Sequence, residues 1–240
     1  MICTSRSTEV AVWWMRLGSP SAAAVKQWRA CLDPSEQAQA DKFYFQDDRS
    51  TYVAAHWLVR SALTSVGSLP PANWRFIVEE HGKPKIDRAI GRPKLRFNLS
   101  HTRGFVACAV SVGVDVGIDV ETLTPSRASL DTAERYFSPS EVAILRGAPP
   151  DEQAECFFRL WTLKEAFIKA TGEGLSRPLD SFSFSLNPAS ISFSQGEADD
   201  ATQWQFIEQR PSPQHVLALA VRKPASCPVT LSVCQVRSPE

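Results

Sequence analysis

The sequence predicts an α+β fold of two similar halves, residues 1–112 and 113–240, related by a pseudo-twofold with a ligand cleft between them. Three observations carry this expectation. In each half a pair of helical segments is followed by a run of strand-like segments, which is the order of an α+β protein. DPSE at 33–36 echoes SPSE at 138–141, and WLVRSAL at 57–63 echoes WTLKEAF at 161–167, both at an offset of about 104 residues, the mark of an internal repeat. With 240 residues and 43% hydrophobic content, the chain can fill one large core or two small ones.

The elements follow in order. VAVWWMRL reads as the first strand and AAAVKQWRACL as the first helix. DPSEQAQADKFYF opens a second helix, with Asp33 as N-cap, Pro34 in the first turn and Glu36 at the capping-box position. STYVAAHWLVRSALTSV gives a longer helix that stops before Pro70–Pro71. WRFIVEE, the turn HGKPK and LRFNLS come next, and RGFVACAVS pairs with LRFNLS across HTRG as a hairpin. VGIDVE begins the second half. Ser138, Pro139 and Glu141 repeat the capping chemistry, and a long helix through FFRLWTLKEAFIKAT ends near Gly172, with GEG as its stop. LDSFSFSL, ASISFS, WQFIEQ, HVLALAVRK and VTLSVCQV read as the remaining strands.

Bulk charge excludes several classes of partner. Lys+Arg and Asp+Glu balance at 26 each, so no net field draws the chain to nucleic acid or to an anionic membrane. Six cysteines show neither a CxxC pair nor zinc spacing, and MICTSRSTEVAVWWM lacks a long apolar signal core, so reduced thiols in the cytoplasm are expected. No apolar run approaches the ~20 residues that span a bilayer.

The chemistry concentrates in two segments. On a helical wheel of about 100° per residue, Phe157, Trp161 and Ile168 fall on one side of Glu165, with Phe158 and Ala154 on the other. A carboxylate in such an apolar arc, left without a positive partner, would cost several kcal/mol. In the strand VDVGIDVETL, Asp115, Gly117, Asp119 and Glu121 share one face. Asp119 and Glu121, roughly 7 Å apart along the strand, suit a shared hard cation. One Mg²⁺ held by Asp119, Glu121 and Glu165 answers both problems, and such an ion also binds phosphate oxygens. Candidate phosphate ligands are Lys164 and Lys169 on the same helix, Lys83 in HGKPK, Arg49 at the start of the long first-half helix, and Ser100 with His101 at the end of LRFNLSH. No Walker loop and no G-x-G-x-x-G is present, which argues against a glycine cradle for a nucleotide.

GIDVE, FSPSE and WTLKEAFIKATGEGL, in that order and spacing, resemble the signature of the phosphopantetheinyl transferases. The resemblance is to the long, monomeric type that activates peptide and polyketide synthetases and fatty-acid carrier proteins. HGKP, which includes Lys83 and Pro84, and FNLSH also match, so the resemblance covers roughly residues 40–185. It implies coenzyme A in the cleft and transfer of its phosphopantetheine arm to a carrier-protein serine, with release of adenosine 3′,5′-bisphosphate. Asp119, Glu121 and Glu165 are then ligands of Mg²⁺, with Mn²⁺ as a substitute, and Glu165 is also the base. Lys169 serves the leaving phosphate and Lys164 the pyrophosphate. Lys83, Pro84, Ser100 and His101 then bind coenzyme A, and the arginine that the family carries in the following helix is matched only imperfectly, by Arg49. The chain departs from the family before Phe43–Tyr44, where SEQAQADK leaves only Lys42 in place of several basic residues. The implied partner is an acyl or peptidyl carrier protein presenting an acidic helix beside its serine. A metal-dependent phosphodiester or pyrophosphate hydrolase would use the same carboxylates, and a coenzyme A-binding module without turnover is the non-enzymatic alternative.

Overall fold

The computed structural model describes residues 8–78, 82–194, 199–224 and 227–237. Cys3 and the strand-to-turn residues Glu79, Glu80 and His81 lie outside them. In chain order the first elements are β1 (Thr8–Arg16), α1 (Ala22–Arg29), α2 (Pro34–Ala40), α3 (Gln46–Gly67), β2 (Phe76–Val78), β3 (Pro84–Ile86), β4 (Leu95–Thr102) and β5 (Phe105–Val112). Then come β6 (Val116–Thr122), α4 (Leu130–Tyr136), α5 (Pro139–Gly147), α6 (Gln153–Thr171), β7 (Phe182–Leu186), β8 (Ala189–Phe193), β9 (Trp204–Ser212), β10 (His215–Arg222) and β11 (Val229–Gln235). The architecture is α+β, as the sequence predicts.

The described residues form two compact units, one of 8–114 with 229–237 and one of 115–228. The first is a sheet in the order β11-β1-β5-β4, with a separate β2-β3 hairpin. Its core lies between α3 and the sheet, where Val53, Leu58 and Leu63 cluster with Met15, Phe97 and Val106, and Trp28 and Trp74 are buried in the same cluster. Helix α2 starts as expected, with Asp33 capping and Glu36 completing the capping box. The sequence places VTLSVCQV in the second half, but β11 runs parallel to β1, with Val10 opposite Leu231, and so belongs to the first unit. Its alternation says that it is a strand; nothing in it says which strand it joins.

The second unit holds the sheet β6-β10-β9 and the β7-β8 hairpin. Helix α6 lies on the sheet over Val216, Ala218 and Ala220, while Phe167, Phe182, Phe184 and Trp204 form an aromatic core beside it. Gly172, at φ 80°, takes the left-handed conformation that ends α6 where the sequence places the stop. Sequence periodicity missed α4, whose seven residues bury only Ala133. Cys31, Cys108, Cys156 and Cys234 are free thiols among the described residues. No helix among them is long and apolar enough to cross a membrane.

One device occurs in both units. Glu36, at the capping box of α2, accepts from buried Arg60 of α3 at 2.6 Å. Glu141, at the capping box of α5, lies 2.8 Å from the buried Lys164 Nζ of α6. Arg60 and Lys164 hold equivalent places in the echo of WLVRSAL and WTLKEAF, so the repeat in sequence corresponds to a repeated packing contact.

Candidate active site

The site is built where β6 and α6 approach closely. Gly117 permits the approach: a Cβ there would stand 2.0 Å from the Ala166 carbonyl oxygen and 2.4 Å from the Ala170 nitrogen. Opposite it on β10 are Ala218 and Ala220, paired with Asp119 and Gly117, so the sheet under the helix is lined by small side chains. A glycine inside a strand is the sequence signal for such an approach.

The strand alternation then places Asp119 and Glu121 on the same face as Gly117. Asp119 is 4% exposed, and its Oδ1 accepts a hydrogen bond from Lys169 Nζ at 2.6 Å. Glu165, one turn before Lys169, is half-buried on the same side of α6. Burial raises its pKa, Lys169 opposes the rise, and the charge of Asp119 adds to it. Burial first, then the Asp119 charge, push the Glu121 carboxyl up to about 7, with Arg127 and Lys169 pulling back. Three carboxylates therefore repel one another around one lysine.

These groups suit a hard divalent cation by their chemistry: all are carboxylate oxygens, and two are held above the ordinary carboxylate pKa by burial and like charge. They do not form a finished cage. Among the described residues, no three acidic, histidine or cysteine side chains converge to hold an ion, and the positive charge at Asp119 is that of Lys169.

Lys164 is corrected. Expected to grip a pyrophosphate, it has no solvent exposure and is used up inside the unit. Its ammonium pairs with Glu141 and donates to the carbonyl oxygens of Leu179 at 2.6 Å and Phe182 at 2.8 Å. Neighbouring helical positions point about 100° apart, so Lys164 turns toward α5 and β7 while Glu165 turns toward β6.

The other expected ligands belong to the first unit. Lys83 is half-buried beside Gly82, whose φ of 82° makes the turn, and Pro84 opens β3 opposite Val78. Ser100 is buried on β4, and the next residue, His101, is exposed on the other face. Arg49, in the first turn of α3, donates through Nη2 to the Phe43 carbonyl oxygen at 2.9 Å, while its buried Nε has no hydrogen-bond partner among the described residues. Arg127 was not foreseen: it stands exposed on the turn after β6, and its charge acts on Glu121.

The class of protein follows from matches to both units. The family model described as the 4′-phosphopantetheinyl transferase superfamily matches residues 115–220, and that for the N-terminal part of a 4′-phosphopantetheinyl transferase matches residues 16–113. The chain is 34% identical over 218 residues to the 4′-phosphopantetheinyl transferase HetI of Nostoc sp., covering 91% of this chain and 90% of that one. It is 36% identical over 162 residues to the 4′-phosphopantetheinyl transferase Sfp of Bacillus subtilis, covering 68% and 70%. Over 241 residues it is 28% identical to the L-aminoadipate-semialdehyde dehydrogenase-phosphopantetheinyl transferase of Mus musculus, covering 93% and 78%. The chain belongs to the 4′-phosphopantetheinyl transferase superfamily.

Proposed function

We propose that the protein transfers the phosphopantetheine arm of coenzyme A to a serine of an acyl or peptidyl carrier protein, working as a cytoplasmic monomer with Mg²⁺, or Mn²⁺ in its place. The observation that carries this reading is the contact of Lys169 with Asp119 at 2.6 Å, beside Glu121 and Glu165, in a chain of this family.

Asp119, Glu121 and Glu165 are the residues that would hold the ion. An ion held there would supply positive charge against the pyrophosphate oxygens. The serine oxygen forms a bond to the phosphorus next to the pantetheine arm, and the bond from that phosphorus to the bridging oxygen breaks. Adenosine 3′,5′-bisphosphate leaves. Glu165 takes the serine proton, directly or through a water it holds, which contributes about 10²–10⁴-fold. Lys169 releases Asp119 and turns its ammonium to the leaving phosphate, stabilising or protonating it. Lys83, Pro84, Ser100, His101 and Arg49 are proposed as coenzyme A contacts; Lys164 has no part in them.

The test is mass spectrometry of an apo carrier protein after incubation with the protein, coenzyme A and Mg²⁺. A gain of one phosphopantetheine mass is the expected result. Nucleotide release at the same rate without any carrier would replace this reading with a hydrolase.

A further inference from the structure

Beyond the close approach of β6 and α6, the second unit holds a cavity of about 220 Å³. Its wall includes Asp115, just before β6, and Ala170 and Thr171, the last two residues of α6. Trp204, at the start of β9, and its cross-strand partner Arg222, at the end of β10, line it from the sheet. Trp204 is 7% exposed, and its indole Nε1 is buried without a hydrogen-bond partner among the described residues. A buried tryptophan N–H ordinarily has an acceptor. Here the ring that carries it borders open space.

Arg222 brings a second donor to the same wall. It has the strand parity of Ala218 and Ala220, which pack under α6, and its guanidinium lies 5.7 Å from the centre of the Trp204 ring. It is exposed and makes no ion pair among the described residues. Two neighbouring donors without acceptors suit a carboxylate or a similar anion. The rest of the wall is negative. Glu173 and Asp199 share Arg177, at 3.1 and 2.6 Å, and Asp115 is a third carboxylate. The C-terminal end of the 19-residue α6 adds partial negative charge. Three carboxylates against two guanidinium groups repel a bare anion, so the anionic group must arrive with a positive charge of its own.

We infer that this cavity binds a small zwitterion of the α-amino-acid class. Its carboxylate accepts from the Trp204 N–H and the Arg222 guanidinium, and its ammonium faces Asp115 and the end of α6. So bound, it ties the start of β6 to the helix that carries Glu165 and Lys169. The inference goes beyond the proposed transfer and does not rest on it, because that reaction uses none of these side chains.

The experiment follows the Trp204 indole N–H by NMR in the full chain, isotope-labelled at its tryptophan nitrogens and titrated with glycine. The signal is assigned by its loss in Trp204→Phe, or by through-space contacts in the wild type if that variant does not fold. Glycine to about 10 mM should move it along a saturating curve. Glycinamide, which keeps the ammonium but not the carboxylate, and acetylglycine, which keeps the carboxylate but not the ammonium, should each bind at least about tenfold more weakly. Arg222→Gln, at an exposed position that leaves the reporter in place, should weaken glycine binding about tenfold or more. An acetylglycine response equal to that of glycine would make the cavity a plain anion site, and an equal glycinamide response a plain cation site. Either result overturns the inference, as does a signal unmoved by all three or a glycine affinity untouched by Arg222→Gln. None of these readings needs turnover, so failure of the transfer assay leaves them standing.

Discussion

Lys164 Nζ lies 2.8 Å from Glu141 Oε2, and neither side chain has any exposure to solvent. Glu141 also accepts from the Ser138 N–H at 2.8 Å and, through its other oxygen, from the Phe184 N–H at 2.8 Å. One carboxylate therefore ties the start of α5 to α6 and to β7. Removing the lysine leaves that carboxylate buried with its charge unpaired.

Lys164→Met is accordingly a stability variant. Its unfolding free energy in urea should fall by about 3–5 kcal/mol, the usual loss when one partner of a buried pair is removed. Transfer per folded molecule, measured well below the melting temperature, should stay within about threefold of wild type. A hundredfold loss of transfer with stability intact would return Lys164 to the phosphate.

Gly117→Ala tests the approach of β6 to α6. Both groups that a Cβ would strike, the Ala166 carbonyl and the Ala170 nitrogen, are helix backbone and have no rotamer to move. The helix must shift, at a cost of about 1–3 kcal/mol or more. Lys169 and Asp119 then part, and a misplacement of about 1 Å can cost on the order of a hundredfold in rate. Gly147→Ala is the control, since nothing lies within 4 Å of a Cβ there. Equal melting temperatures and equal kcat/KM for the two variants would remove Gly117 from the construction of the site.

Local features of the fold were legible in the sequence. Both capping boxes and the stop at Gly172 are set by a few adjacent residues, and they stand where the sequence places them. The strand parity that groups Gly117 with Asp119 and Glu121 is equally local. What escaped depends on distant partners. A helical wheel separates Lys164 from Glu165 but does not say that α5 and β7 cover one and β6 the other. The partner of β11 lies more than two hundred residues earlier, beyond any periodicity. Arg127 carried no signal, because an exposed arginine in a turn looks like any other until its neighbour is known.

Glu165→Gln keeps the shape and removes the charge. Transfer should fall by about a hundredfold or more, while coenzyme A still binds in calorimetry. Undiminished transfer would take the proton from some other group.

For Lys169→Ala, the loss should appear in kcat more than in the KM for coenzyme A, because in the proposed reaction the ammonium acts on charge that develops as the phosphate leaves. A change confined to KM would make Lys169 a binding residue.

The Glu121 carboxyl gives a pH signature that does not need turnover. Its pKa rises from 4.5 to about 7 on folding, through burial and the charge of Asp119. Between those values the folded protein binds more protons than the unfolded chain, so stability falls as pH rises. The stabilising contribution is whole below about pH 4.5 and lost above about pH 7. Glu165 is shifted in the same direction and adds to the slope. Glu36 and Asp33 are shifted downward, so their contributions change at more acid pH. In chelator, the melting temperature of Glu121→Gln should gain on that of wild type from pH 5 to pH 7.5. With excess Mg²⁺ the wild type should recover the difference, since a bound ion favours the ionised carboxylate. Parallel melting curves across that range, with and without the metal, would show that Glu121 ionises on folding as an ordinary surface carboxylate does.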